Sequence, residues 1–151
     1  MTRLFFVLFN LFFVLNTFAQ INVVDVAKPI SIGKVGNIAA TFIYMDKEDS
    51  VYTITYQDIK FQHLTEFKSF SFKDINNDFD KLYKIIIDGL DNPPKEDIML
   101  ELPNDIVWLH FQKSLGVVNV RFSSAVNKNP NIIGVSIYMT KKQVLKLFGK
   151  G

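Results

Sequence analysis

The stretch IVWLHFQKSLGVVNVRFS, residues 106–123, alternates apolar side chains with polar or aromatic ones on both sides of a short interruption. A period of two residues is typical of a β-strand that has one face against a hydrophobic core. We therefore expect strands at residues 106–112 and 117–123, joined by a four-residue hairpin loop at residues 113–116. This hairpin is the centre of the predicted fold.

Two further strand-like runs, at residues 97–102 and 132–139, extend the hairpin into a predicted four-stranded antiparallel meander. Alternation divides the meander into two faces. We expect the consistently apolar face to form the core: Ile98, Leu100, Leu102, Val107, Leu109, Phe111, Val118, Val120, Phe122, Ile133, Val135 and Ile137. The opposite face is mixed: Met99, Glu101, Trp108, His110, Gln112, Asn119, Arg121, Ser123, Ser136 and Tyr138.

Upstream of the meander the same period of two recurs. Runs at residues 38–45 and 51–57 predict a hairpin with a polar turn between them, and residues 66–73 predict a third strand. Residues 20–37 contain a proline and two glycines among scattered valines and isoleucines, so we expect an extended N-terminal arm, with an edge strand as an alternative.

A helix is predicted between the third strand and the meander, because the apolar period changes there to three and four residues. The residues with this spacing are Phe79, Leu82, Tyr83, Ile86 and Leu90. Asn76 or Asn77 is the expected N-cap. Gly89, or the pair Pro93 and Pro94, is the expected end of the helix.

A second, short helix is predicted at the C-terminus. Residues 140–143 form the capping-box pattern, an apolar stripe follows, and Gly149 is the expected stop. The lysines opposite that stripe are interpreted as a solvated face. Together the elements predict an α+β fold in the order β-β-β-α-β-β-β-β-α: one twisted antiparallel sheet of about six to seven strands, with both helices on one face.

The first nineteen residues have the layout of a cleavable secretory signal peptide. Arg3 precedes a run at residues 4–15 that is apolar except for Asn10, and a small residue, Ala19, stands at the expected cut before Gln20. A membrane anchor is the alternative, but the run is shorter than the roughly 20 apolar residues that span a bilayer. We expect residues 20–151 to be a single exported domain, periplasmic or extracellular, with no membrane span after cleavage.

Composition narrows the function classes. The sequence has no cysteine, so disulfides, catalytic thiolates and a lipid-bearing cysteine are excluded. It has 17 cations and 15 anions, and loss of Arg3 leaves a net charge of about +1, which argues against nucleic acid and gives no bulk attraction to acidic membranes. We expect no cofactor and no metal, because His63 and Glu66 supply only two ligands.

The mixed face of the meander is the candidate site. A four-residue loop at residues 113–116 places Trp108 opposite Arg121 and His110 opposite Asn119. If a similar loop follows the first meander strand, Glu101 joins Trp108 and Arg121 in one row; a two-residue loop shifts that row by one pair. The candidate binding residues are Glu101, Trp108, His110, Arg121 and Tyr138.

Two functions from different classes stay open. The first is a non-enzymatic binding module of the bacterial cell envelope, because Trp, Tyr and Arg supply much of the energy of interfaces and aromatic rings stack on sugars; its partner is a protein or a glycan. The second is a small envelope hydrolase with His110 as general base, helped by Glu101 or a nearby hydroxyl. A third interpretation makes the face structural, covered by the N-terminal arm or by the second copy of a homodimer.

The signal-peptide hypothesis predicts that the exported protein begins at Gln20. Intact-mass measurement of material secreted by the expressing cell should give the mass of residues 20–151. Ala19→Arg places a large cation at the cut and should leave the precursor uncleaved. An exported product that retains residues 1–19 would contradict the hypothesis.

Overall fold

The backbone forms two antiparallel sheets and two helices. The computed structural model describes residues 28–37, 40–61 and 65–151, so the predicted signal peptide, residues 20–27 of the predicted arm and His63 lie outside the described residues. The elements in chain order are β1 (Ile30–Gly36), β2 (Thr41–Glu48), β3 (Val51–Gln57), β4 (Phe67–Lys73), α1 (Asp78–Asp91), β5 (Ile98–Glu101), β6 (Ile106–Ser114), β7 (Val117–Ala125), β8 (Ile133–Val135), β9 (Met139–Thr140) and α2 (Lys141–Leu147).

The α+β class is confirmed, but the prediction of a single sheet is wrong. Sheet A has the order β1-β2-β3-β4; sheet B has the order β5-β6-β7-β8, and β9 also pairs with β7. The described part of the predicted arm supplies β1 as the edge strand of sheet A. The long connection through α1 separates β4 from β5. Alternation within each strand does not specify whether the strands before this connection pair with the strands after it.

One hydrophobic core joins the sheets and the helices. The rings of Phe70 on β4 and Phe122 on β7 meet edge to face, with centroids 5.5 Å apart. Helix α1 adds Leu82, Ile86 and Leu90, and the C-terminal helix region adds Val144, Leu147 and Phe148. The predicted core residues Val107, Leu109, Val120 and Phe122 are all fully buried.

The prediction for residues 132–139 is wrong in both extent and orientation. The run is two short strands, and the register places Val135 opposite Ser123, on the face away from the core. Gly134 and Ser136 are buried instead of Ile133 and Val135. Ser136 breaks the strand: its hydroxyl accepts a hydrogen bond from the Phe122 N–H at 2.9 Å and donates one to the Ile137 carbonyl at 2.9 Å. The Ser136 N–H still donates to the Phe122 carbonyl at 2.9 Å, so the hydroxyl replaces a backbone carbonyl only as the acceptor of the Phe122 N–H.

Helix α1 confirms its predicted apolar stripe, and of its two expected ends it has the one at the Pro93–Pro94 pair rather than the one at Gly89. Asn77 is the N-cap in a left-handed conformation without a side-chain cap bond, and the Asp74 carboxylate accepts from the Phe79 N–H at 3.3 Å instead. The helix continues through Gly89 to Asp91. A Cβ on Gly89 would lie 2.3 Å from the Phe111 ring, so this glycine permits close packing of α1 on β6.

Helix α2 has the predicted capping box and the predicted stop. The Thr140 N–H donates to Gln143 Oε1 at 2.8 Å, and the Gln143 N–H donates to Thr140 Oγ1 at 3.3 Å. Gly149 has a φ of 64°, and the Lys150 N–H reaches back to the Leu145 carbonyl at 2.8 Å. That pattern is a Schellman ending.

A buried hydrogen bond ties sheet A to sheet B. The Tyr56 and Ser124 hydroxyl oxygens lie 2.5 Å apart, and neither residue has any exposed surface. Burial, the largest cause, raises the pKa of Tyr56 from 10.0 to about 12, because the ionised phenolate loses its hydration.

Tyr56→Phe should lower the free energy of unfolding by about 1–2 kcal/mol near neutral pH, since Ser124 loses its buried partner. The wild-type protein should also lose roughly 2–3 kcal/mol as pH rises from about 10 to about 12, where unfolded tyrosine ionises and Tyr56 stays neutral. Tyr56→Phe should lack that part of the alkaline loss. Urea unfolding across this pH range measures both effects.

Tyr44→Phe is the matched control, because the Tyr44 hydroxyl on β2 makes no hydrogen bond within the described residues. It should keep the wild-type alkaline slope. If the free energy of unfolding of Tyr56→Phe falls with rising pH as steeply as that of the wild type, Tyr56 is not the group responsible for the alkaline loss.

Candidate functional site

The β6–β7 hairpin has a two-residue turn rather than the predicted four-residue loop. Ser114 pairs with Val117, so the turn consists of Leu115 and Gly116. Their φ values are 49° and 83°, the left-handed conformation that two-residue type I′ hairpin turns require at both positions. Because leucine is atypical at the first of these positions, the turn type was not evident from the sequence.

This register corrects the predicted pairs on the outer face of sheet B, the face away from the core. His110 lies opposite Arg121, not Asn119, and Trp108 lies opposite Ser123, not Arg121. The predicted row of Glu101, Trp108 and Arg121 is therefore not formed.

The connection between β5 and β6 has the register of the predicted two-residue loop, not that of the four-residue loop. Met99 lies opposite Trp108 and Glu101 opposite Ile106. The Leu102 N–H donates to the Asp105 carbonyl at 2.9 Å across Pro103 and Asn104. Glu101 consequently lies one pair away from Trp108 and two pairs away from His110.

Four side chains form a continuous row across the outer face; we call Asp97, His110, Arg121 and Tyr138 the charged row. His110 Nδ1 and Asp97 Oδ1 lie 2.5 Å apart. The guanidinium carbon of Arg121 lies 4.8 Å from the centroid of the Tyr138 ring, and the His110 and Tyr138 ring centroids are 6.1 Å apart. The structure thus brings three of the five candidate residues together.

Asp97 is the member of this row that the sequence analysis did not select. It lies one residue before β5, and because Ile98 pairs with Leu109, Asp97 falls beside His110. The two-residue connection through Pro103 and Asn104 is the signal that would have found it, because that connection alone sets the offset of β5 against β6.

Trp108 and Glu101 occupy the flank of the charged row. Trp108 is half-buried between its neighbours Met99 and Ser123, and Met99 is 61% exposed. Glu101 forms an exposed ion pair with Lys128 at 2.8 Å. The hydrogen bond from Lys128, together with its charge, lowers the pKa of Glu101 below its usual value.

A shallow pocket of about 250 Å³ lies beside the charged row, lined by Gln112, Ser114, Asn119 and Tyr138. Two amides, a hydroxyl and a phenol supply both hydrogen-bond donors and acceptors, and none carries a formal charge near neutral pH. Gln112 and Asn119 are cross-strand neighbours, so the pocket has a rigid two-stranded floor. Such a pocket suits a polar, uncharged ligand.

A larger apolar groove of about 460 Å³ lies between β4, α1 and β5. Three of its four charged lining residues already have partners: Lys81 pairs with Asp78 at 3.0 Å, and Glu101 pairs with Lys128. The groove therefore offers few polar groups that could orient a ligand.

Within residues 28–37, 40–61 and 65–151, no three His, Asp or Glu side chains converge on a position where they could hold a metal ion. In the same part of the chain no helix has the length and hydrophobicity needed to cross a bilayer. Comparison with protein-family models found no match, and comparison with curated proteins found no relative.

The observed register predicts an energetic coupling between Arg121 and Tyr138. A double-mutant cycle with Arg121→Ala and Tyr138→Leu, followed by urea unfolding, should give a coupling free energy of about 0.5–1 kcal/mol. The corresponding cycle between Arg121 and Trp108 is the control, and its coupling should be clearly smaller. A larger coupling free energy between Arg121 and Trp108 than between Arg121 and Tyr138 would instead favour the predicted register, in which Trp108 lies opposite Arg121.

Proposed function

We propose that the protein is an exported, non-enzymatic binding module of the cell envelope and that the outer face of sheet B binds a glycan. The observation that carries this proposal is the uncharged pocket of Gln112, Ser114, Asn119 and Tyr138 beside the charged row. Export rests on the signal-peptide layout of residues 1–19.

The chemistry of the pocket favours a sugar over a protein surface. Sugar hydroxyls both donate and accept hydrogen bonds, and the side-chain amides of Gln112 and Asn119 do the same with fixed, planar geometry. Tyr138 adds an aromatic ring against which a pyranose can pack. A protein hot spot usually needs a protruding, desolvated aromatic anchor, whereas Trp108 is half-buried in its own sheet.

The charged row gives the pocket a defined edge. Asp97 holds the His110 ring, and the Arg121 guanidinium lies over Tyr138, so the side chains bordering the pocket are constrained before a ligand arrives. Constraint of this kind reduces the entropy lost on binding. Arg121 is also able to contact an acidic substituent of an envelope glycan.

A second candidate, a small hydrolase, is favoured by one observation. Asp97 lies against His110 Nδ1, the arrangement in which a carboxylate orients an imidazole that acts as general base through its other nitrogen. The helper is then Asp97 rather than Glu101, which pairs with Lys128. No hydroxyl of the described residues hydrogen-bonds to His110, so water would have to be the nucleophile.

One experiment tests both candidates. Calorimetric titration with soluble peptidoglycan fragments and a panel of neutral oligosaccharides should find a ligand, and Asn119→Ala and Arg121→Ala should each weaken its binding by about tenfold. Asn104→Ala, an exposed amide on the β5–β6 connection, is the matched control and should bind as the wild type does. Each titrated sample is then analysed for cleaved products.

Binding without cleavage supports the binding module. Cleavage that is lost in His110→Ala would replace it with the hydrolase. Absence of binding across the panel, or equal affinities in Asn119→Ala and Asn104→Ala, would overturn the glycan site.

A further inference from the structure

Leu115 at the tip of the β6–β7 hairpin has an unusual conformation and an unusual environment. Its φ is 49°, in the left-handed region that branched side chains avoid, and its relative exposure is 102%. Four other non-glycine residues in the described chain have positive φ: Asp49, Asn77 and Asn127 are residue types that tolerate this region, and the fourth is Lys128, next to Asn127. Leucine is neither favoured by the turn nor packed against the protein.

The fold therefore gains nothing from leucine at this position. Asparagine followed by glycine is the favoured pair for a type I′ turn, so Leu115→Asn should relieve strain without removing an internal contact. Strained residues that the fold does not need are concentrated at functional sites. A fully exposed aliphatic side chain finds its stabilisation only against a surface outside this chain.

The surroundings of Leu115 are apolar and cationic. Val117, on the other side of the turn, is 52% exposed. Lys113 is exposed on β6, and Lys142 is exposed in the first turn of α2, which the pairing of Asn119 with Thr140 brings beside β7. Neither lysine forms an ion pair with a described residue.

The sequence around the tip also lacks anionic groups. Residues 106–151 contain no aspartate or glutamate, so all fifteen acidic residues precede the hairpin. The small overall net charge thus conceals a separation of charge along the chain. The nearest carboxylate that the structure pairs with this region, Asp91 of α1, is bonded to Lys141 at 2.6 Å. Apolar side chains flanked by unpaired lysines match the chemistry of an anionic lipid surface.

We propose that the β6–β7 hairpin tip binds an anionic membrane surface, with Leu115 and Val117 inserted among the lipid headgroups and Lys113 and Lys142 facing lipid phosphates. The contact is peripheral and reversible, because two side chains bury little area and the tip does not span the bilayer. Ser114 lines the polar pocket one residue from the tip, so membrane contact holds that pocket close to the surface. The membrane contact does not rest on the glycan proposal.

Co-sedimentation of the mature protein with phosphatidylcholine vesicles, with and without phosphatidylglycerol, tests this contact. The wild-type protein should bind the anionic vesicles more strongly, and its binding should weaken with added salt. Leu115→Asn should reduce binding by at least about tenfold while its Tm stays equal to or above that of the wild type. Ile75→Asn, at a site 70% exposed in the β4–α1 connection, is the matched control and should leave binding unchanged.

Lys113→Glu combined with Lys142→Glu should abolish the preference for anionic vesicles. Full binding by Leu115→Asn, or no binding of anionic vesicles by the wild type, would overturn the proposal. Equal loss in Leu115→Asn and Ile75→Asn would also overturn it, because the effect would then not belong to the tip. The glycan titrations contain no lipid and the vesicle assays contain no glycan. Each experiment therefore tests one of the two proposals independently of the other.

Discussion

The two-residue turn at Leu115 and Gly116 determines which side chains meet on the outer face of sheet B. Because side chains alternate between the faces of a strand, shifting β6 against β7 by two residues exchanges every cross-strand partner on that face and leaves the buried face apolar. With the observed turn, His110 meets Arg121 and the charged row closes through Asp97 and Tyr138. The pocket beside the row exists only in this register, since it depends on Gln112 lying opposite Asn119.

The opposite side of the same strands is held by a different kind of constraint. Val107, Leu109, Val120 and Phe122 are buried against sheet A and α1, and polar contacts then fix how the two sheets meet. Tyr56 bonds to Ser124. The buried Asp58 carboxylate accepts from the Val135 N–H at 3.1 Å, joining the end of β3 to β8. Hydrophobic burial supplies the stability, and these directional bonds select one arrangement of the sheets.

The parts of the fold that were predictable depend on local chemistry. The stripe of α1, the capping box and glycine stop of α2, and the core positions of β6 and β7 follow from period, cap and burial within a single segment. The division into two sheets depends on contacts between distant segments, which alternation does not encode. The reversal at Ile133 and Val135 has a local cause, since the Ser136 hydroxyl replaces a backbone carbonyl as the acceptor of the Phe122 N–H. An apolar pattern gives no sign of this bond.

The candidate site was predictable in composition but not in pairing. Trp108, His110, Arg121 and Tyr138 lie on the outer face of sheet B or beside it, as the alternation indicated, whereas Asp97 entered only through the register of β5. The obstacle was Leu115: asparagine at that position would have marked a two-residue turn, and every pair on the face would have followed from it. Leu115, which made the turn type unpredictable, is also a residue whose leucine side chain does not stabilise the fold. Its side chain opposes both the turn preference and the tendency of leucine to be buried. When two independent local preferences are violated at one exposed residue, a contact outside the chain is the simplest physical explanation.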